Sequence, residues 1–459
     1  MLTAAKAHFV PHQAAALLML TASAIALCWL NLSWIGTWVG EATLPAERAT
    51  YNLNDYSAFV NASRLISGGQ GSALYSIEAQ RALEVREWGA RFDQQLAVPF
   101  VNPPWFALVL LPLAGLPLGV GFLIWSVVCV GLVFGANAVL MHWARPPPAV
   151  GAAFVLSALG FVPFWRAAIL GQTSALVLFG MALGIVFVAR RQDRWGGILL
   201  ALVGVKPQLL VLPLLGLIGA RRWRAAAWCV AASVALLASG LLVTGPGAVG
   251  DYLKLLGSPD YGGYENLPQM QSWRALVEGT AGLSGAPAAL LDGLGSLAAV
   301  AAVAWTWLPA SAECGVRSAE CRSEADSRLS PMKSLLRATH SALRTPHSAL
   351  DWDLRMALTL MLTQLFTPHI HIHDLLIWFV PGALLLHYLY SPEAAGHPRR
   401  RDAGFVLLWS GYLVVWPAWL LPDARLALVF SLMACGWMAF VLHETRRERT
   451  AWAKTATTQ

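Results

Sequence analysis

The chain has 459 residues, of which 57% are hydrophobic and only 12% charged, with 32 Lys and Arg against 25 Asp and Glu and a formal net charge of +7. Soluble domains carry about 25% charged residues, and residues 94–144 contain no Asp, Glu, Lys or Arg at all. A run that long excludes a water-soluble globule: it needs lipid, where roughly 20 apolar residues cross the hydrocarbon. The surplus of arginine reads as cytoplasmic loop charge and not as a surface for nucleic acid.

In chain order, the first apolar run predicts a helix over 13–36, too long and followed by too many further spans for a signal peptide. Residues 37–102 form a mildly acidic outer loop with short helices. The segment 102–116 is apolar but punctuated by Pro103, Pro104 and Pro112, with Pro117 just beyond. Taken as a full span it would put Arg145 and the later basic loops on the wrong side, so it reads as re-entrant or interfacial. Helices follow over 118–142, 150–166 and 172–189. The stretch from Arg194 to Arg221 is broken by Val205-Lys206-Pro207-Gln208 and has basic flanks at both ends. It predicts two short helices with Lys206 at their far, outer end. Further helices are expected over 225–243, 284–308, 354–368, 374–390, 403–421 and 424–442, with a second outer loop at 244–283.

Residues 309–353 have mixed charge, no apolar periodicity and a small repeat beginning at His340 and again at His347. They read as a flexible cytoplasmic insertion between an N-terminal membrane part, 1–308, and a C-terminal one, 354–459. The expected architecture is all-α: a polytopic bundle of about twelve spans with both ends cytoplasmic, where Arg399–Arg401 and Arg446–Arg449 also fall. Cys28, Cys129, Cys229 and Cys435 lie in apolar runs as small hydrophobes, and Cys314 and Cys321 have no zinc-spaced partners.

On this topology the outer helix ends collect unusual polar groups: Asp55, Asn102, Arg166, Gln172, Lys206, Gln271-Ser272 and the cluster Pro368–Asp374. Ionisable groups near membrane depth are costly and mark a cavity or pathway. Asp55 reads either as the cap of a helix starting near Tyr56 or as a general base on an acceptor hydroxyl. Lys206 and Arg166 are potential phosphate ligands, with interfacial snorkelling and anchoring as the plain alternatives. His369, His371 and His373 share a face if extended, whereas on a helix only His369 and His373 do. The latter pair could meet a metal, but there is no HExxH-type pattern; hydrogen bonding to an anionic substrate or to backbone fits better, and no metal is expected. Asp374 could orient one imidazole.

These pieces, in order, resemble glycosyltransferase family 87 of the GT-C superfamily. Asp55-Tyr56, Gly68-Gly69 and Leu74-Tyr75 look like its first outer loop. Asn102-Pro103-Pro104-Trp105-Phe106 resembles its "YPP" element, Gly171-Gln172-Thr173-Ser174 its "GQxN" helix start, and Lys206-Pro207-Gln208 its broken lysine-proline element. Gln271-Ser272-Trp273 resembles its "NQS" segment, and Thr367-Pro368-His369 through His373-Asp374 its later outer element. Met270 and Ser174 stand where the family often has Asn.

The resemblance implies an enzyme of the plasma (inner) membrane that works at the outer, periplasmic face. It would transfer a hexose, with mannose the precedent, from a polyprenyl-phosphate sugar to a lipid or glycan acceptor. It would do so with inversion and without a cofactor. It carries the catalytic aspartate onto Asp55. The donor phosphate falls to Lys206, Arg166, His369, His371 and His373. The acceptor and cavity wall fall to Tyr56, Asn102, Gln172, Gln271, Ser272 and Asp374. A lipid-linked glycan ligase or polymerase shares this plan. A glycolipid transporter or flippase would instead scatter polar groups through the depth of inverted repeats, which the sequence lacks.

Overall fold

The computed structural model describes residues 54–88, 99–257, 270–308, 351–421 and 425–457, with Thr21 and Leu267 as single residues. The expected first span and nearly all of 309–353 lie outside these. The described residues are helical, and their one β contact is an isolated bridge between Met270 and His371. Five helices are long and apolar enough to cross a membrane: α5 (Leu118–Ala144), α11 (Trp223–Thr244), α13 (Gly285–Trp307), the stretch Ile372–Leu389, and α18 (Leu426–Thr457) through Glu448. Their outer faces carry bare aliphatic side chains, with Val127, Leu242 and Leu297 each at least 65% exposed, as a lipid-facing surface requires. The described residues form an all-helical membrane bundle.

The remaining apolar segments are shorter or broken. The helix expected over 150–166 is two helices, α6 (Pro148–Ser157) and α7 (Val162–Leu170), joined by a 3₁₀ turn and bent by 48°. Pro163 is the cause, since its ring has no N–H and tolerates only the first turn of a helix. Counted as one span, this pair raises the number to six. The 102–116 segment forms two short helices, α3 (Pro104–Val109) and α4 (Leu111–Ala114), neither long enough to span. Trp105 and Phe106 are buried, so protein covers this irregular backbone.

α1 (Asn54–Ser67) lies on α3 and α4, touches α7, and is backed by α2 (Ile77–Trp88). α8 (Ser174–Ala189) is the hub of the bundle. It packs against α5, against α9 (Asp193–Leu200) with its 3₁₀ extension Ala201–Val205, and against the 3₁₀ turn Ile372–Trp378. After Lys206 the chain returns through α10 (Val211–Gly219), whose end meets the start of α9 again. Downstream lie α12 (Ala248–Leu256), α14 at 351–366, α15 (Phe379–Leu389), α16 (Pro392–Ala395) and α17 (Pro398–Leu420). The helix expected over 374–390 begins as the 3₁₀ turn after an extended stretch, and α18 runs well past the expected 442.

Candidate active site

The site is built where helices end. α1 starts at Asn54, which puts Asp55 in its first turn, where the positive end of the helix favours a carboxylate. Burial dominates its chemistry and pushes the carboxyl up to about 6, against a hydrogen bond to Gln172 and the attraction of Lys206 and Arg166. Gln172 reaches Asp55 because α7 stops at Gly171, which takes a left-handed φ of 67°. The Gln172 N–H then donates to the Ala167 carbonyl at 2.8 Å. A side chain at Gly171 would also stand 2.6 Å from Cβ of Tyr56, so only glycine fits there. Tyr56 itself is fully buried, its ring 5.2 Å from Phe122, and it packs α1 to α5.

Lys206 is presented by a break. Pro207 has no N–H to continue the helix, and Lys206 takes an open backbone conformation between two 3₁₀ turns. Asn102 holds this break, donating from Nδ2 to the Val205 carbonyl at 3.1 Å, while its own carbonyl accepts from Tyr75 at 2.9 Å. Lys206 Nζ lies 2.5 Å from Asp374 Oδ1. Ser174 Oγ donates to the same oxygen at 2.8 Å, and the His371 N–H donates to Oδ2 at 3.2 Å. His373 Nε2 is 3.6 Å from Oδ2. Asp374 is thus a buried carboxylate satisfied on both oxygens, the condition for a buried ion pair to hold.

The histidines alternate as the extended option requires. His371 has φ −95° and ψ 170°, and the 3₁₀ turn begins only at Ile372. His369 and His371 meet through their Nε2 atoms at 3.2 Å, and the His371 and His373 rings stack at 5.4 Å. Among the described residues no group of three or more His, Cys, Asp or Glu is arranged to hold a metal ion. Gln271 joins this segment through its backbone, N–H to Ile370 O at 2.8 Å, and Ser272 through its hydroxyl, Oγ to Pro368 O at 3.3 Å. Arg166 interacts electrostatically with Asp55, and its Nε is buried with no hydrogen-bond partner among the described residues.

Asp55, Gln172, Lys206, Asp374 and Arg166 therefore form one electrostatically connected group, with the histidines against Asp374. Two members were not singled out as site residues from the sequence. Ser174 looks like a small residue in an apolar helix. Arg425, read as part of the helix expected over 424–442, is buried and donates to Met270 O at 2.7 Å and Thr280 Oγ1 at 3.0 Å, fixing the residue that pairs with His371. Its only sequence signal is a lone cation in an otherwise apolar stretch.

Residues 100–321 match glycosyltransferase family 87. A polyprenol-phosphate-mannose-dependent alpha-(1-2)-phosphatidylinositol pentamannoside mannosyltransferase of Mycolicibacterium smegmatis is 31% identical over 214 residues, 45% of this chain and 51% of that protein. The protein of the same description from Mycobacterium tuberculosis is 30% identical over 228 residues, 48% and 51% of the two chains. The chain thus spans about half the length of the curated relatives it matches. No solved structure matches significantly. The matched stretch holds Asn102, Arg166, Gln172, Lys206, Gln271 and Ser272, and the similarity to glycosyltransferase family 87 rests on it.

Proposed function

We propose that the chain is a polyprenyl-phosphate-sugar-dependent glycosyltransferase that moves a hexose to a lipid or glycan acceptor at the outer face of the plasma membrane. The relatives are named for mannose, which makes mannose the sugar proposed. The observation that carries the reading is the meeting of Asp55, its carboxyl near 6, with Gln172, Arg166 and the Lys206–Asp374 pair. A carboxylate poised just below neutral pH is ionised and still basic enough to take a proton.

The acceptor oxygen attacks the anomeric carbon as Asp55 takes its proton. The bond from that carbon to the phosphate oxygen breaks, and the configuration inverts. Polyprenyl phosphate leaves with one more negative charge. Arg166 is the cation best placed to receive that charge, because Lys206 is already engaged by Asp374. The pair Lys206–Asp374 fixes the geometry of the histidine turn, whose imidazoles complete the phosphate side. Basic loops lie at the opposite end of the α9–α10 hairpin from Lys206, which supports an outward-facing site and the about twelve crossings expected. An apolar cavity lined by Phe154, Phe161, Trp378, Phe379, Tyr412 and Phe430 adjoins the turn that carries Asp374. It is assigned to part of the donor's isoprenoid tail.

The test is transfer from radiolabelled polyprenyl-phosphate mannose into a membrane-lipid extract, wild type against Asp55→Asn. Wild-type transfer, with donor binding but no transfer by the variant, is the expected result. Equal transfer by both would remove Asp55 as the base, and no transfer by wild type from any lipid-linked sugar would overturn the reaction class.

A further inference from the structure

The loops that flank the α9–α10 hairpin at the end away from Lys206 carry a second concentration of charge. One bears Arg190, Arg191 and Arg194; the other bears Arg221, Arg222 and Arg224. They are tied together. Arg222 is buried and donates to Asp193 and to the Val188 carbonyl, so the acid in these loops is already used. The other five arginines are exposed. Arg194 lies over the rings of Trp228 at 5.0 Å and Trp195 at 5.4 Å. Trp195 and Trp223 are 53% and 59% exposed, beside the lipid-facing side of α11 with Val230 and Val234.

Helix capping does not account for these arginines. Arg191 and Arg221 occupy left-handed positions, φ 63° and 55°, just past the ends of α8 and α10. Glycine or asparagine takes such positions with least strain. Arg194 and Arg224 sit in the first turns of α9 and α11, where the helix dipole disfavours a cation. Arg194 and Arg224 are placed against the helix dipole, and the exposed indoles of Trp195 and Trp223 stand beside them.

We propose that this arginine patch is a binding site for the phosphate headgroups of anionic membrane phospholipids. A guanidinium matches a phosphate by paired hydrogen bonds, and indole rings suit the interface between headgroups and acyl chains. The lipid-exposed flank of α11 gives the acyl chains a surface, which a free phosphate ion would not use. The assignment stands independently of the transferase reading.

The full chain in neutral detergent would be supplied with phosphatidylglycerol or phosphatidylcholine, and bound lipids counted by native mass spectrometry. Wild type is expected to retain phosphatidylglycerol in preference. Each arginine removed should weaken retention by about fivefold, so Arg224→Gln gives one such step and the quadruple variant at 191, 194, 221 and 224 abolishes the preference. The control Arg145→Gln with Arg399→Gln removes two exposed charges elsewhere and should keep it. Equal retention of the two lipids by wild type would overturn the proposal. So would loss of the preference in the control, or its survival in Arg224→Gln and the quadruple variant. Displacement of the lipid by millimolar inorganic phosphate would reassign the patch to soluble anions. Melting temperatures measured in phosphatidylcholine alone should agree between wild type and Arg224→Gln; if they differ, the effect is one of folding and the proposal falls.

Discussion

Asp55 can accept a proton only when ionised, and burial holds its carboxyl at about 6. Transfer should therefore be low at pH 5, rise through a midpoint near 6 and level off by pH 7.5, read from initial rates at saturating donor. Asp55→Asn should lower turnover by about 10²–10⁴-fold and leave donor binding in place; a variant that keeps the same pH curve would show that another group sets it. The proposed reaction gives the departing phosphate to Arg166. Arg166→Gln should lower turnover by about 10²-fold, with a smaller effect on the donor KM, because the charge it meets develops only as the bond breaks. Asp55 and Lys206 were readable in the sequence because each marks an interruption, a helix start after a long run and a proline break. Ser174 was legible only as a departure from the GQxN pattern and Arg425 not at all, because a serine in an apolar helix and an arginine beside a turn have ordinary explanations until their partners, far along the chain, are seen.

At the scale of elements, the histidine turn depends on a bridging residue outside it. Arg425, at the start of α18, holds Met270, and Met270 pairs with His371. Gly279 leaves room for this: a Cβ there would lie 2.6 Å from Arg425 Nη2. Arg425→Gln and Gly279→Ala, from opposite sides of one contact, should both cut turnover by about tenfold or more, with Arg425→Lys recovering part of it. A loss in one and not the other would mean that the contact does not govern the turn. α2 is held to α1 differently. Asn61 Nδ2 donates to Glu84 Oε1 at 3.3 Å, and burial pushes the Glu84 carboxyl up to about 7. An acid whose pKa is raised on folding stabilises the fold below its unfolded pKa of about 4.3, and that stabilisation is lost as pH rises through 7. Melting temperature should fall between pH 5 and 8, and Glu84→Gln should flatten the fall and melt higher at pH 8, by on the order of 2 °C. Helix positions followed hydropathy closely for α5, α11 and α13. The bend at Pro163 escaped it, because an apolar run looks the same whether its backbone is straight or bent.

For the whole molecule, the limit of the sequence is the count of spans. Hydropathy sees about twelve apolar runs, whereas five or six of the described helices are long enough to cross by themselves. The difference lies in segments such as α8, α9 and α10, which are short because they bring their ends to the site. The same economy joins the site to lipid. The 3₁₀ turn that presents Asp374 continues into Trp378 and Phe379, which wall the apolar cavity, and the cavity's other side is formed by α6, α17 and α18. A donor whose phosphate lies at Arg166 can then place its first isoprene units in protein and the rest in the bilayer. Gly382 lines this cavity within α15, and a Cβ there would meet Leu408 and Phe154 only at 3.4–3.7 Å, so a larger residue enters the space before it strains the fold. Gly382→Leu should raise the KM for long-chain polyprenyl-phosphate sugars by about tenfold, the scale of one or two buried methylenes displaced, and leave a donor with a two-isoprene tail nearly unchanged. An equal effect on both donors would place the tail elsewhere. No effect on either would leave the cavity without a part in donor binding and return the tail to the lipid-exposed surface of the bundle.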